Sequence, residues 1–330
     1  MNIRTTIFIF CIGLLLVAGC KDDSKKNSPT TPVVKKKVTV PPFDGDGALA
    51  YIEKQVSFGY RVPGMESHKE CKDWLVRELK SLGTKVEVQE FKASFLDVKD
   101  AQAYNIIASI NPKNKRRIAL AAHWDTRLIA DKAEQDKNKP IDGADDGGSG
   151  VAVLLQIAKT IQENPIDLGV DIFLWDAEDN GIDSDVGDAS TAETWCLGSQ
   201  YWSKNKHDSN YNARFGILLD MVGAKGARFP LEGISAQVAG AYQAKIWQLA
   251  QQMGYGDLFQ SVKAGQITDD HLYMHYGGIP TVDIINLPTE TFGQYHHTHD
   301  DNMDNIDKNV LRKVGQVVTA VLYRESNSTF

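Results

Sequence analysis

The sequence predicts an α/β domain with a mixed, mostly parallel central sheet flanked by helices on both faces. Three observations carry this reading. Short apolar runs of strand length, at 104–110, 118–122, 170–175, 215–221 and 281–285, alternate with longer segments whose apolar residues recur at helical spacing. Strands buried on both faces read as near-continuous apolar runs, and helical crossovers between them make parallel neighbours. Polar clusters follow these runs directly: His123-Trp124-Asp125 after one, 176–179 after the next, and Asp220 near the end of a third. Ligand sites in open α/β sheets lie outside the carboxyl ends of the strands, so these clusters should converge on one crevice. The composition, 42% hydrophobic and 24% charged, is that of a chain able to bury a core.

In chain order, Asp46 is expected to cap a helix running to about Phe58. A second helix from about Glu66 spaces Cys71, Trp74, Leu75, Leu79 and Leu82 along one face and stops at Gly83. Residues 85–91 alternate apolar and polar, as a half-exposed strand does. After the strands at 104–110 and 118–122, helices are expected at 148–161, from about 198, and at 239–252. They alternate with the strands at 170–175, 215–221 and 281–285, and a last helix spans 308–323. Trp74, Trp124 and Trp247 read as core residues. His68, His207 and His275 have no motif around them and read as core or surface histidines.

The first residues follow a different logic. Arg4 precedes an apolar run at 7–18, which ends in Val17-Ala18-Gly19-Cys20. A basic start, a short apolar core and small residues at its end mark a secretory signal. The ending resembles the lipobox of bacterial lipoproteins, which implies a signal peptide at 1–19, cleavage before Cys20 and a lipid on that thiol. Residues 20–42 are rich in Lys, Ser, Thr and Pro and read as a tether, leaving 43–330 as one catalytic domain. The chain is then expected in a bacterial cell envelope, lipid-anchored and facing the periplasm or the cell surface, touching membrane only through the anchor. With Cys11 removed and Cys20 lipidated, Cys71 and Cys196 remain, either as a disulfide or as two buried thiols.

A formal net charge of −7 argues against nucleic acid as a partner. Carboxylates and imidazoles instead crowd the loop positions: His123, Asp125, Asp145, Asp146, Glu178, Asp179, Asp220, Asp269, Asp270, His271 and the histidines at 296–299. These are the ligand types of a catalytic zinc site, which keeps one coordination position open. The glycine-rich GADDGGSG lacks the lysine of a phosphate-binding loop.

The segments AHWDTR (122–127), GADDGGSG (143–150), WDAED (175–179), LDMVGA (219–224), DDH (269–271) and HTHDDN (297–302) stand in the order and approximate spacing of the M28 zinc metallopeptidases. The resemblance covers nearly everything from residue 46 to 323 and implies that family's zinc-exopeptidase, phosphorylase/hydrolase-like fold. Within the family the chain looks closer to the type II glutaminyl cyclases than to the aminopeptidases. A long acidic insertion at 180–196, with Trp195 near its end, separates WDAED from GSQYW, and the C-terminal stretches 269–285 and 297–307 resemble the cyclase form.

That resemblance implies zinc ligands Asp145, Asp179 and His297, with Asp146 shaping the loop. It implies Glu178 as general acid/base, supported by Asp220 and Asp269, and Trp195, Phe292 and His296 as pocket walls. His123, Asp125 and His271 become structural supports. In a two-zinc aminopeptidase, His123 and Asp220 would instead hold a second metal, with Asp145 bridging. Two positions depart from the family: Asp179 stands where glutamate is frequent, and His296 stands where cyclases usually carry tryptophan. The implied reaction closes an N-terminal glutamine to pyroglutamate and releases ammonia, on peptides and proteins, with one zinc per chain and a monomeric enzyme. The alternatives are a di-zinc aminopeptidase and an inactive peptide-binding lipoprotein.

Overall fold

The computed structural model describes residues 38–183, 189–288 and 292–330. The expected signal peptide, Cys20 and the tether up to residue 37 lie outside the described residues. The last part of the expected tether is seated on the domain: Val38 and Val40 pack against the core, and Gln316 donates to the Pro41 carbonyl (3.0 Å). No helix among the described residues is long and apolar enough to cross a membrane.

Helix α1 (Gly45–Val56) starts one turn-corner earlier than expected, because Asp44 rather than Asp46 accepts the Gly47 amide. Helix α2 (Glu66–Ser81) buries Cys71, Leu75 and Leu79 on the face that the spacing indicated. Strands β1 (Lys85–Phe95) and β2 (Val98–Ile110) form a longer hairpin than the sequence suggested, continuing past residue 91 through a tight turn at Leu96. Strand β3 (Arg117–His123), helix α3 (Gly148–Glu163) and strand β4 (Gly169–Trp175) follow, and both strands are buried along their full length.

Helices α4 (Ala189–Ala192) and α5 (Leu197–Lys204) lead to β5 (Gly216–Asp220). A small parallel pair, β6 (Phe229–Leu231) and β7 (Phe259–Lys263), encloses α6 (Gly233–Val238) and α7 (Gly240–Gln252). Helix α8 (Asp270–Tyr276), strand β8 (Thr281–Ile285), a short 3-10 turn at Met303–Asn305 and helix α9 (Lys308–Ser326) complete the chain. The β6–β7 pair, α6 and α8 escaped the sequence reading, since such short elements carry too few residues to show a period.

The main sheet has the order β1-β2-β4-β3-β5-β8. β4, β3, β5 and β8 are parallel, while β1 and β2 join at one edge as an antiparallel hairpin. The largest apolar cluster lies between the sheet and α1, α3, α7 and α9, and a second one, around Phe173, Trp175 and Trp202, covers the other face. α3 presses closely on the sheet at Gly150, where a Cβ would meet the Leu219 carbonyl at 2.3 Å and the Ala122 Cβ at 2.8 Å. The carboxyl ends of β3, β4 and β5 deliver His123, Asp176–Asp179 and Asp220 to one rim, as the strand-end argument expects. Cys71 and Cys196 are both buried free thiols, so the disulfide alternative is not realised.

Candidate active site

A cavity of about 580 Å³ opens at this rim, with Glu178, Asp179, Asp146, Asp220, Asp269, His296 and His297 among its lining. Trp195, Phe292, Ile182, Ile234, Ile267 and Ile285 supply apolar wall. The polar groups arrive from several elements. β3 ends in His123, the loop before α3 supplies Asp146, the turn after β4 supplies Glu178 and Asp179, and β5 ends in Asp220. Asp269 is the N-cap of α8.

Two groups of potential metal ligands share one member. Asp146, His296 and His297 bring ligand atoms within 4.8 Å of one another, and so do His123, Asp146 and Asp220. His297 Nε2 lies 3.0 Å from Asp179 Oδ1, and the second Asp179 oxygen is buried with no hydrogen-bond partner in the described structure. A buried, partnerless carboxylate oxygen beside imidazole and a second carboxylate fits a divalent cation with N and O ligands. His123 Nε2 lies 3.0 Å from Asp146 Oδ1 and 3.3 Å from Asp220 Oδ1.

Asp145, a zinc ligand by resemblance, has other partners here: its carboxylate accepts from the Tyr295 hydroxyl (2.5 Å) and the Gly223 amide (2.6 Å) and so ties two loops together. Asp146, read from the sequence as a shaping residue, faces the imidazoles and belongs to both ligand groups. Both backbone amides are fixed by Asp301 (2.8 and 3.2 Å). Gly147 follows at φ +83°, where a Cβ would strike the Asp125 carbonyl at 2.5 Å. That turn starts α3 directly after the carboxylates, an arrangement the helix dipole favours.

His299 is exposed and lies 3.3 Å from the Asp136 carbonyl, away from the cavity. His296 stacks between Phe292 (4.2 Å) and His297 (3.7 Å), and its Nδ1 receives the Lys132 ammonium at 3.1 Å. Burial and the neighbouring His297 hold His296 well below the usual histidine range. Trp195 stacks over His297 at 5.9 Å and 13°. His271 stays out of the cavity, fully buried between Glu232 (3.2 Å) and Asp283 (3.6 Å). Asp125 accepts from the Glu178 and Asp179 amides and from Asn180, fixing the turn that presents both acidic residues.

The electrostatics sort the carboxylates. Burial pushes Glu178 well above the usual glutamate range; His123 opposes this, and Asp269 and Asp179 reinforce it. Burial likewise raises Asp220 to about 8, against the pull of His123 and with the charge of Asp269. Asp146 moves the other way: burial would raise it, but its hydrogen bond to His123 and that ring's charge outweigh burial. Burial works against a charged His123, yet its bonds to Asp125, Asp146 and Asp220 lift it well above the usual range. Carboxylates whose environments drive their pKa values apart are the usual substrate of acid/base chemistry.

Comparison with known proteins agrees with this geometry. The sequence pattern of peptidase family M28 matches residues 105–322. This chain belongs to peptidase family M28. A solved M28-like relative, glutaminyl cyclase from Bacteroides thetaiotaomicron bound to N-acetylhistamine, is 46% identical, with a TM-score of 0.83 over 86% of this chain and 99% of that one. A structure described as a leucine aminopeptidase precursor from the same species is also 46% identical, with a TM-score of 0.83, over 87% of this chain and 99% of that one. Among curated relatives, the glutaminyl-peptide cyclotransferase of Boiga dendrophila is 23% identical over 65% of this chain, and the match spans 63% of that relative's length.

Several residues that shape this M28 site were not among the expected site residues. Arg61, fully buried, donates to the carbonyls of Trp124, Asp142 and Gly143 and ties the strand end to the aspartate loop. Asp131 lies 3.4 Å from His297 Nδ1 and is paired with Arg127 at 2.8 Å. Asp301 and Tyr295 hold the aspartate loop, and Cys196 touches Glu178. For Asp301 a signal was available, since it lies inside the HTHDDN motif. The others are far apart in sequence and meet only in the fold. Ala177, Cys196, Met221 and His297 all adopt φ between +50° and +58°, a region costly for non-glycine residues and here concentrated around the cavity.

Proposed function

We propose that this chain is a zinc-dependent glutaminyl-peptide cyclotransferase, acting on peptides and proteins with N-terminal glutamine. The observation that carries the reading is the aromatic enclosure of the ligand group. Trp195, from the acidic insertion, stacks on His297, which stacks on His296, and His296 stacks in turn on Phe292. Such walls suit a single folded side chain, and the 46% identity to a glutaminyl cyclase supports the choice.

Asp146, Asp179 and His297 would hold one zinc, with His296 beside them. When bound it supplies Lewis-acid polarisation of an amide carbonyl. The chain's own residues perform the remaining tasks. The walls hold the N-terminal residue curled, so that its α-amine and side-chain amide meet within one molecule. Glu178, with its raised proton affinity, accepts the proton from the attacking amine and returns it to the departing ammonia nitrogen. Burial, with the charges of Asp269 and Asp179, keeps that affinity high. In a single-metal site His123 would stay hydrogen-bonded to Asp146 and Asp220; in a two-metal site the same three residues would hold the second ion.

Purified chain is expected to carry one zinc and to release ammonia from Gln-initiated peptides. Glu178→Gln should keep the zinc and lose ~100-fold or more in kcat. Two zincs per chain with release of an N-terminal leucine, as the similarity to a leucine aminopeptidase precursor would suggest, reverses the choice. We also propose export and lipid anchoring at Cys20 in a bacterial envelope, with a monomeric domain beyond the tether. The support is the basic-apolar-small pattern ending in Val17-Ala18-Gly19-Cys20. Metabolic labelling with a fatty-acid analogue, lost in Cys20→Ser, tests it.

A further inference from the structure

The carboxylate on which the proposed chemistry turns is held by a buried thiol. Cys196 Sγ lies 3.2 Å from Glu178 Oε1, within hydrogen-bond range for sulfur. The two residues are tied through the backbone as well, because the Cys196 amide donates to the Glu178 carbonyl (3.0 Å) and the Leu197 amide to the Ala177 carbonyl (3.0 Å). Cys196, at the end of the insertion, is thereby tied to the turn that presents Glu178.

Two features set this contact apart from ordinary packing. Cys196 is fully buried and sits at φ +57°, and its partner turn carries Ala177 at φ +55°. Both non-glycine residues thus bear strained backbone to make the contact. Cys196 also occupies the N-cap of α5, where Ser, Thr, Asp or Asn would bond to the helix amides. Its side chain makes no such bond and is turned to Glu178 instead. Burial keeps the thiol protonated, as a donor must be.

We infer that Cys196 is a positioning residue: its S–H donates to Glu178 Oε1 and fixes the rotamer in which this carboxylate lines the cavity. Oε2 lies 3.9 Å from His123 Nδ1, whereas the Nε2 of that ring faces Asp146 and Asp220. This inference rests on Glu178 as the proton acceptor, so its test needs one readout independent of turnover.

Infrared spectra of the full chain supply that readout, with the Cys196 S–H band isolated as the difference between wild type and Cys196→Ala. The band is expected at the lowered frequency of a thiol bonded to a carboxylate, and should move up in Glu178→Ala. In kinetics, Cys196→Ala should lower kcat about tenfold with little change in KM, zinc content or Tm. Cys196→Ser keeps a donor and should recover most of the loss. An S–H band unmoved by Glu178→Ala overturns the inference. So does a Cys196→Ser variant that falls as far as Cys196→Ala with a lowered Tm, since that pattern belongs to packing. A wild type that cyclises nothing removes the functional reading, while the infrared band still decides the contact.

Discussion

Asp145 and Asp146 share a loop and a common anchor in Asp301, yet their carboxylates serve different partners. Asp145 joins Tyr295 to Gly223, and burial raises it to about 6. Asp146 meets His123 and the imidazoles at 296 and 297. Asp146→Asn should therefore abolish zinc retention after dialysis, because one charged ligand of the group is lost. Asp145→Asn should retain the metal and lose stability instead, by ~1–3 kcal/mol, the range for a buried polar network left partly satisfied. Metal analysis and thermal melts of the two variants check this, and equal metal loss in both would return Asp145 to the ligand set. A motif match places both residues in one line of text, and only the loop's turn at Gly147 decides which one faces the cavity.

At the scale of elements, the short helix α6 and the strand pair beside it are held by one glutamate. Glu232 accepts from the amides of Ile234 (2.7 Å), Ser235 (2.6 Å) and Ile267 (3.0 Å) and faces His271 at 3.2 Å. Burial alone would raise its pKa, but the adjacent His271 and the helix amides outweigh this and hold it at about 2. An unfolded glutamate titrates near ~4.3. The folded value is the lower one, so the stabilisation is complete above ~4.3 and is lost as pH falls toward 2. Glu232→Gln should melt below wild type at neutral pH by ~1–3 kcal/mol. The gap should narrow between pH 4 and 2 as wild type takes up its proton. A gap independent of pH across that window would show that shape, not charge, secures the cap. Neither α6 nor this cap was legible beforehand, because six residues around a glycine do not reveal a period.

For the whole molecule, the site gathers buried carboxylates from β4, β5, the α3 loop and α8, and such a gathering opposes folding unless cations join it. Chelation should then lower Tm by several degrees, and added zinc should restore it. A ligand at a thousandfold over its Kd stabilises the folded state by ~4 kcal/mol. An unchanged Tm after verified zinc removal would mean that His123 and the raised carboxylates balance the charge without metal.

The sequence by itself determined the layered α/β architecture, because apolar runs and helical spacing are local and survive any rearrangement of distant parts. It placed His123, Glu178, Asp179 and Asp220 at strand ends for the same reason, and carried the six ordered motifs of the family. Tertiary structure alone decided which aspartate of a pair faces the cavity, and that His271 stays behind it. It also decided that Cys71 and Cys196 remain apart, and that a thiol eighteen residues away steadies Glu178. These outcomes depend on backbone turns at Gly147, Ala177 and Cys196, and on contacts between segments distant in the chain. A residue's type sets what it can bond, whereas the direction of its side chain is fixed only when the whole chain has closed around it.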